Sequence, residues 1–167
     1  MKLTIFGSTG GTGRQVVAQA LAQEHDVTAF ARSPEKVDQT HKNLQVIQRG
    51  VMNLASAERA VQGQDSVICT LGSGSAIREK TMVRANGMKN IICAMEKTSV
   101  KRLICQSSAG VVDSSDTLPF LMKYLTVPFL LRRVFADHEI QENSVKESQL
   151  DWIIRGTYRL LPARLYS

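Results

Sequence analysis

Four glycines near the start of the chain have the type and spacing that would let the backbone hold a phosphate. They lie in the sequence Gly7-Ser8-Thr9-Gly10-Gly11-Thr12-Gly13. An apolar run from Leu3 to Phe6 precedes them, and apolar residues at helical spacing follow them. A helix N-terminus presents unpaired N–H groups and a partial positive charge, which together bind phosphate. The stretch therefore predicts a strand, a tight turn and a helix that bind the pyrophosphate of a dinucleotide.

Three of these glycines have separate expected roles. Gly7 would allow a sharp turn, Gly10 a close backbone approach to the pyrophosphate, and Gly13 close packing of the helix on the strand. The spacing differs from the usual G-x-G-x-x-G, and the alternative is a glycine-rich structural turn. We expect the whole turn to bind the cofactor: Gly7, Ser8, Thr9, Gly10, Gly11, Thr12 and Gly13.

A basic residue follows the second predicted strand, residues 26–31. NAD enzymes usually present an Asp or Glu to the ribose at this place, whereas an arginine accommodates the 2′-phosphate of NADP. Here Arg32 and Ser33 occupy this place, and the first acidic residue after the strand is Glu35. A guanidinium group also binds phosphate with two parallel hydrogen bonds. The pattern predicts NADP(H) as the cofactor, with a solvent-exposed arginine as the alternative.

Two serines and one histidine are the candidates for contact with a substrate. Ser107 and Ser108 end the fifth predicted strand, where a hydroxyl could bind a substrate carbonyl or the nicotinamide amide. The alternative is a polar strand end. His138 follows Asp137 on a late predicted helix. It is predicted to be a proton donor, an oriented side chain or a partly buried structural residue. No Gly-x-Ser-x-Gly motif surrounds the serines, so hydrolase chemistry is unsupported.

The elements that would position these residues alternate between strand and helix. Strands are predicted to follow the first at residues 26–31, 44–47, 66–71, 101–106 and 151–155. Helices are predicted after Gly13, from Glu35 to before His41, and over residues 54–61, 81–97 and 131–148. Ser33 and Pro34 are start signals for the second of these helices, and Asn53 is the expected cap of the third. This order predicts an α/β, doubly wound parallel sheet whose ligand binds at the carboxyl ends of the strands. That edge adds five expected cofactor-binding residues: Val51, Thr70, Leu71, Gly72 and Ser107.

Length and composition fit one globular domain, residues 1–167, with a net charge of +6. No apolar run is long enough to span a membrane, and no signal peptide is recognisable, so we expect a cytoplasmic protein. The three cysteines, Cys69, Cys93 and Cys105, each lie in an apolar run without ligand spacing. They predict buried free thiols and no metal site.

These residues resemble those of an atypical short-chain dehydrogenase/reductase of the NmrA-like NAD(P)-binding family. The resemblance is greatest to its NADPH-dependent flavin reductase/biliverdin-IXβ reductase branch, and covers nearly the whole chain. It implies a Rossmann-like fold that binds NADP and reduces flavins, quinones or tetrapyrroles by hydride transfer. It also implies that Ser108 and His138 lie on the substrate side. The matching segments are residues 5–13, 31–33, 63–68, 71–72, 85–92, 107–109, 137–138 and 147–152.

The chain also departs from this family. The Tyr-x-x-x-Lys pair of typical members is absent, since Pro128 lies four residues after Tyr124. Gly50 is followed by Val51 where relatives often have an Asp next to the adenine, which leaves only a backbone contact there. Relatives also run from the sixth strand into Arg-Pro and continue further, so the C-terminal part is expected to be short or incomplete.

Three classes of function remain open. The first is an NADPH-dependent enzyme that reduces a small planar acceptor, and the second is a non-catalytic NADP(H) redox sensor. The third, a nucleic-acid binder, has only the positive charge in its favour, since the chain has 5% aromatic residues and no recognition motif. We therefore expect a small-molecule acceptor, no nucleic acid, no membrane, and a monomer or weak homo-oligomer.

Overall fold

The computed structural model describes residues 1–72, 83–108 and 132–157. They form six strands and four α-helices in alternation, apart from one pair of consecutive strands. In chain order these are β1 (Lys2–Phe6), α1 (Gly11–Ala22), β2 (Asp26–Ala31), β3 (Leu44–Gln48), α2 (Leu54–Val61), β4 (Ser66–Cys69), α3 (Val83–Thr98), β5 (Arg102–Ser108), α4 (Arg132–Glu147) and β6 (Asp151–Thr157).

The six strands form one parallel sheet in the order β3-β2-β1-β4-β5-β6. The predicted Rossmann-like parallel α/β sheet is therefore confirmed. The strand order reverses between β1 and β4, where Phe6 pairs with Cys69. In open sheets of this kind a crevice forms beyond the carboxyl ends of the strands at such a reversal. The glycine turn follows β1 at this point.

Helices cover both faces of the sheet because neighbouring strand residues point to opposite sides. Ile5 packs in a cluster that includes Val17 and Leu21 of α1. Phe6 packs in a second cluster that includes Met88 and Met95 of α3. Both Ile5 and Phe6 are fully buried, as expected of a central parallel strand. Within the described ranges, no helix is both long and apolar enough to cross a membrane.

The segment after Pro34 differs from the sequence prediction. One turn of 3-10 helix, Pro34–Lys36, replaces the helix expected up to His41, and the Ser33 side chain makes no capping hydrogen bond. None of the residues in the turn is buried. A short helix needs tertiary packing to offset its costly nucleation, and a turn without a buried residue gains little of it.

Other local predictions fare differently. Asn53 caps α2 as expected, and its Oδ1 accepts a hydrogen bond from the Ser56 N–H at 2.9 Å. β4 ends at Cys69, two residues earlier than predicted. The three cysteines are free; Cys69 and Cys105 are buried as predicted, whereas Cys93 is half-buried.

Candidate active site

The glycine turn is so tight that side chains would not fit at two of its positions. Gly7 has a φ of +82°, and a Cβ there would lie 2.6 Å from the Thr70 carbonyl oxygen. A Cβ on Gly13 would lie 2.1 Å from the Gly7 carbonyl oxygen. By contrast, within the described residues no atom beyond the adjoining backbone lies within 4 Å of a Cβ built on Gly11. The start of α1 is therefore pressed against the turn, which is the geometry that a pyrophosphate cradle requires.

Two hydroxyl groups hold the backbone of the turn in place. The Ser8 hydroxyl donates to the Phe30 carbonyl of β2 at 3.2 Å. The Thr70 hydroxyl donates to the carbonyl of Phe6 at 3.0 Å and to that of Gly7 at 3.2 Å. The first-turn N–H groups of α1, from Gly11 to Gly13, have no acceptor within the helix itself. The residues present thus fit a dinucleotide pyrophosphate.

The basic side of the crevice lies beyond β2 and β3. Arg32 is exposed, and its Cγ lies 4.0 Å from the position of a Cβ on Gly50. A second arginine, which we did not predict, is close to the turn: Arg14 Nε donates to the Thr9 carbonyl at 3.2 Å. Its Nη1 also lies 3.4 Å from Asp38 Oδ2. Two guanidinium groups are therefore available on the side where a 2′-phosphate is expected.

Val51 and Leu71 form part of the wall of the crevice against α3. A Cβ on Gly87 would lie 2.8 Å from Val51 Cγ1 and 3.0 Å from Leu71 Cδ1, so a larger residue here would require these two side chains to shift. The Val51 carbonyl accepts a hydrogen bond from Asn90 Nδ2 at 3.0 Å. A cofactor contact of the Val51 backbone would therefore use the second lone pair of this carbonyl or the Val51 N–H.

Three buried polar side chains meet where β5 packs on α4. The Ser107 hydroxyl lies 3.4 Å from His138 Nδ1 and donates a short hydrogen bond to Glu142 Oε1. All three residues are less than one-tenth exposed. We call this group, Ser107, His138 and Glu142, the β5–α4 cluster. The structure therefore brings together two predicted site residues, Ser107 and His138, with a carboxylate that we did not predict.

A buried ion pair lies beside this cluster. Arg84 Nη1 of α3 is 3.6 Å from Asp137 Oδ2 of α4, and both side chains are about nine-tenths buried. Asp137 Oδ1 also accepts a hydrogen bond from the Ala85 N–H at 3.0 Å. Arg84 Nε in turn donates to the Leu71 carbonyl at 3.2 Å. The pair thereby connects α4 to the segment that follows β4.

The two halves of the site are joined by a direct contact. Gln106 Nε2 of β5 donates to Thr12 Oγ1 at the start of α1, at 3.1 Å. Gln106 precedes Ser107, so the glycine turn and the β5–α4 cluster lie at the same edge of the sheet. Ser33 is half-buried and Gly72 exposed at this edge. The side chain of Ser108, and the segments 73–82 and 109–131, lie outside the described residues.

Glu142 could have been found from the sequence through its spacing from His138. His138, Gln141, Glu142 and Val145 occur at intervals of three and four residues, so they share one face of a helix. Val145 is apolar and fully buried. A face that carries a buried valine and a candidate site histidine points its other polar residues inward too.

Burial, and secondarily the positive charge of Arg84, lower the pKa of His138 from 6.5 to about 4. The ring is therefore neutral at pH 7. The sequence predicts two functional roles for His138, a proton donor or an oriented side chain. The neutral ring favours the oriented side chain, which acts through hydrogen bonds, over an imidazolium proton donor.

This shift makes the stability of the protein depend on pH in a defined direction. Below pH 6.5 the unfolded chain binds a proton at His138 that the folded chain takes up only near pH 4, so stability falls as the pH is lowered. At about 1.36 kcal/mol per pKa unit, the wild type should lose roughly 3 kcal/mol between pH 7 and pH 4 that a His138→Gln variant does not lose. Urea unfolding at the two pH values measures the difference. Equal losses in both proteins would contradict the lowered pKa.

Comparisons with known proteins identify the family of this chain. Residues 7–160 match the model of a family described as NAD(P)H-binding. The chain is 32% identical over 114 residues to an uncharacterised chloroplastic protein of Arabidopsis thaliana. The matched region covers 64% of this chain and 41% of that protein.

Two solved structures have a similar fold. One is a short-chain dehydrogenase/reductase from Veillonella parvula in complex with NADP, with a TM-score of 0.74 and 23% identity over 92% of this chain and 67% of that one. The other is ChuY, an anaerobillin reductase from Escherichia coli, with a TM-score of 0.72 and 21% identity over 92% of this chain and 71% of that one.

The chain spans about two fifths of the length of the first curated relatives that it matches, 38% and 41%. The family match covers most of this chain itself, from the glycine turn to β6. It confirms the NAD(P)-binding part of the resemblance. The chain belongs to the NAD(P)H-binding family.

Proposed function

We propose that the protein is an NADPH-dependent oxidoreductase that reduces a small planar acceptor of the flavin, quinone or tetrapyrrole type. One observation carries this proposal: the Gln106–Thr12 hydrogen bond holds the buried β5–α4 cluster next to the start of α1. A nicotinamide dinucleotide bound along the turn would supply the hydride, and the cluster would contact the acceptor beside it. The likeness to an anaerobillin reductase is a reason to include linear tetrapyrroles among the acceptors tested.

The chain's own residues divide into three roles under this proposal. The glycine turn binds the pyrophosphate through backbone N–H groups, and Thr70, Leu71 and Gly72 line the crevice beyond β4. Arg32 and Ser33 bind the 2′-phosphate. Ser107, Ser108 and the neutral His138 orient the acceptor by hydrogen bonds.

The NADP preference can be tested by removing Arg32. We expect Arg32→Ala to weaken NADPH binding about tenfold or more, because a hydrogen bond to a charged group contributes roughly 1.5–3 kcal/mol. NADH binding should stay within about twofold, since NADH has no 2′-phosphate. Both affinities can be followed by the fluorescence of the reduced nicotinamide.

The matched control for this experiment is Arg102→Ala. It removes the same charge at the start of β5, at the opposite edge of the sheet, where Arg102 pairs with Asp151. NADPH affinity should not change in the control. An equal loss in both variants would indicate a general effect of charge, and no loss in Arg32→Ala would overturn the assignment of Arg32.

A non-catalytic redox sensor is the second candidate. The absent Tyr-x-x-x-Lys pair and the neutral His138 favour it, because neither supplies a proton by the usual route. Oxidation of NADPH in the presence of flavins, quinones or a linear tetrapyrrole supports the reductase. Binding of both NADPH and NADP without turnover of any acceptor supports the sensor. A cytoplasmic location and a monomer or weak homo-oligomer are part of both proposals.

A further inference from the structure

Two partners of the Ser107 hydroxyl differ in their hydrogen-bonding capacities. An ionised carboxylate only accepts hydrogen bonds, whereas a hydroxyl donates one and accepts others. Glu142 Oε1 is the closer partner of Ser107 Oγ, and His138 Nδ1 lies 3.4 Å from the same atom. If the Ser107 proton lies towards Glu142, then Ser107 Oγ can only accept from His138. The Nδ1 atom must in that case carry the ring proton.

Glu142 is also paired with a lysine of its own helix. Lys146 Nζ lies one helical turn away, 3.9 Å from Glu142 Oε2. Among the described residues, Arg84 of α3 is the charged group that acts on His138 directly, and Arg84 is itself paired with Asp137. Glu142 is linked to the ring indirectly, because it accepts a hydrogen bond from the Ser107 hydroxyl that lies beside His138 Nδ1.

We propose that Glu142 is a positioning residue that holds His138, through Ser107, in the tautomer with the proton on Nδ1. The Nε2 atom of a neutral ring is then a hydrogen-bond acceptor. It would pair with a donor of the bound molecule. The part of this inference that concerns the ligand rests on the proposed function, and it narrows the class of acceptors. Acceptors with an N–H group, such as the imide of a flavin or the pyrrole rings of a tetrapyrrole, fit this atom, whereas quinones lack the donor.

The tautomer can be measured without cofactor or substrate. The chain has three histidines, so a nitrogen-15 correlation spectrum of the imidazole rings at pH 7 is simple, and His138→Gln identifies the signals of His138. In the wild type we expect a protonated Nδ1 and a bare Nε2. Glu142→Gln and Ser107→Ala should both move the proton towards Nε2. Glu139→Gln, an exposed position on the same helix, is the matched control and should change nothing.

The ligand preference is measured by binding rather than by turnover, with riboflavin and 3-methylriboflavin, whose imide N–H is replaced by a methyl group. With NADP present, the wild type should bind riboflavin about fivefold more tightly than 3-methylriboflavin, as expected for one neutral hydrogen bond. In Glu142→Gln the preference should shrink to within about twofold, while NADPH affinity is unchanged. Quenching of flavin fluorescence gives both affinities.

The outcomes separate this inference from the proposed function. A wild-type ring protonated on Nε2, or a tautomer unaffected by both Glu142→Gln and Ser107→Ala, overturns the positioning role. Equal binding of the two flavins, or binding of neither, overturns the proposed ligand class. Failure of every acceptor to oxidise NADPH overturns the reductase, but it does not alter the nitrogen spectrum of His138.

Discussion

Gly13→Ala is expected to abolish measurable cofactor binding. The added Cβ would lie 2.1 Å from the Gly7 carbonyl oxygen and 2.9 Å from the Gly7 carbonyl carbon and the Ser8 Cα, all of them backbone atoms. Backbone cannot rotate out of the way as a side chain can, so α1 must move off the turn. We expect NADPH affinity to fall at least about 100-fold, and stability to fall by roughly 1–3 kcal/mol, as for other overpacked sites.

Gly11→Ala is the matched control two residues earlier. No atom lies within 4 Å of its added Cβ, and alanine favours a helix over glycine by about 1 kcal/mol. This variant should bind NADPH within about threefold of the wild type and unfold at the same or a higher temperature. Nicotinamide fluorescence and thermal unfolding test both variants. Wild-type affinity in Gly13→Ala would show that close packing of α1 on the turn is not needed for binding.

The difference between these two glycines shows what the sequence can and cannot predict. The strand–turn–helix order is a local property, and the spacing of apolar residues around the turn was enough to predict it. The same reasoning assigned all seven turn residues to the cofactor. Only the folded backbone shows that Gly13 touches Gly7 while Gly11 faces open space.

The buried polar groups were the main omission. Arg84 and Asp137 are far apart in the sequence, and a charged residue in a helix is ordinarily assigned to the solvent side. No local pattern indicates that two such residues come to within 3.6 Å of each other. Glu142 was detectable through its spacing from His138, whereas this ion pair depends on how α3 packs against α4.

The prediction of a short helix after Pro34 was wrong because its local signals were not supported by packing. Ser33 and Pro34 are good local signals for a helix start, and the prediction relied on them alone. The segment buries no residue in its single 3-10 turn, so no packing energy extends it into an α-helix. Start signals indicate where a helix can begin, but burial decides whether it continues.

Asp137→Ala is expected to cost more stability than Gly13→Ala. Removing one partner of a buried ion pair leaves an uncompensated charge, which typically costs about 3–5 kcal/mol. The change also removes the acceptor for the Ala85 N–H. The control is Asp151→Ala, which breaks the pair with Arg102, whose side chain is 40% exposed. Its expected cost is at most about 1 kcal/mol, because exposed pairs contribute little.

The double variant Arg84→Met with Asp137→Leu separates the cost of a stranded charge from the cost of lost contacts. Replacing both partners of a buried pair by apolar residues is often neutral or stabilising, so urea unfolding should recover much of the loss. NADPH affinity should be lower in the double variant than in the wild type, since Arg84 Nε no longer holds the Leu71 carbonyl at the crevice. Without Arg84, the pKa of His138 should also rise, because its positive charge is one of the two causes that lower it. Recovered stability together with wild-type NADPH affinity would mean that the ion pair serves folding alone.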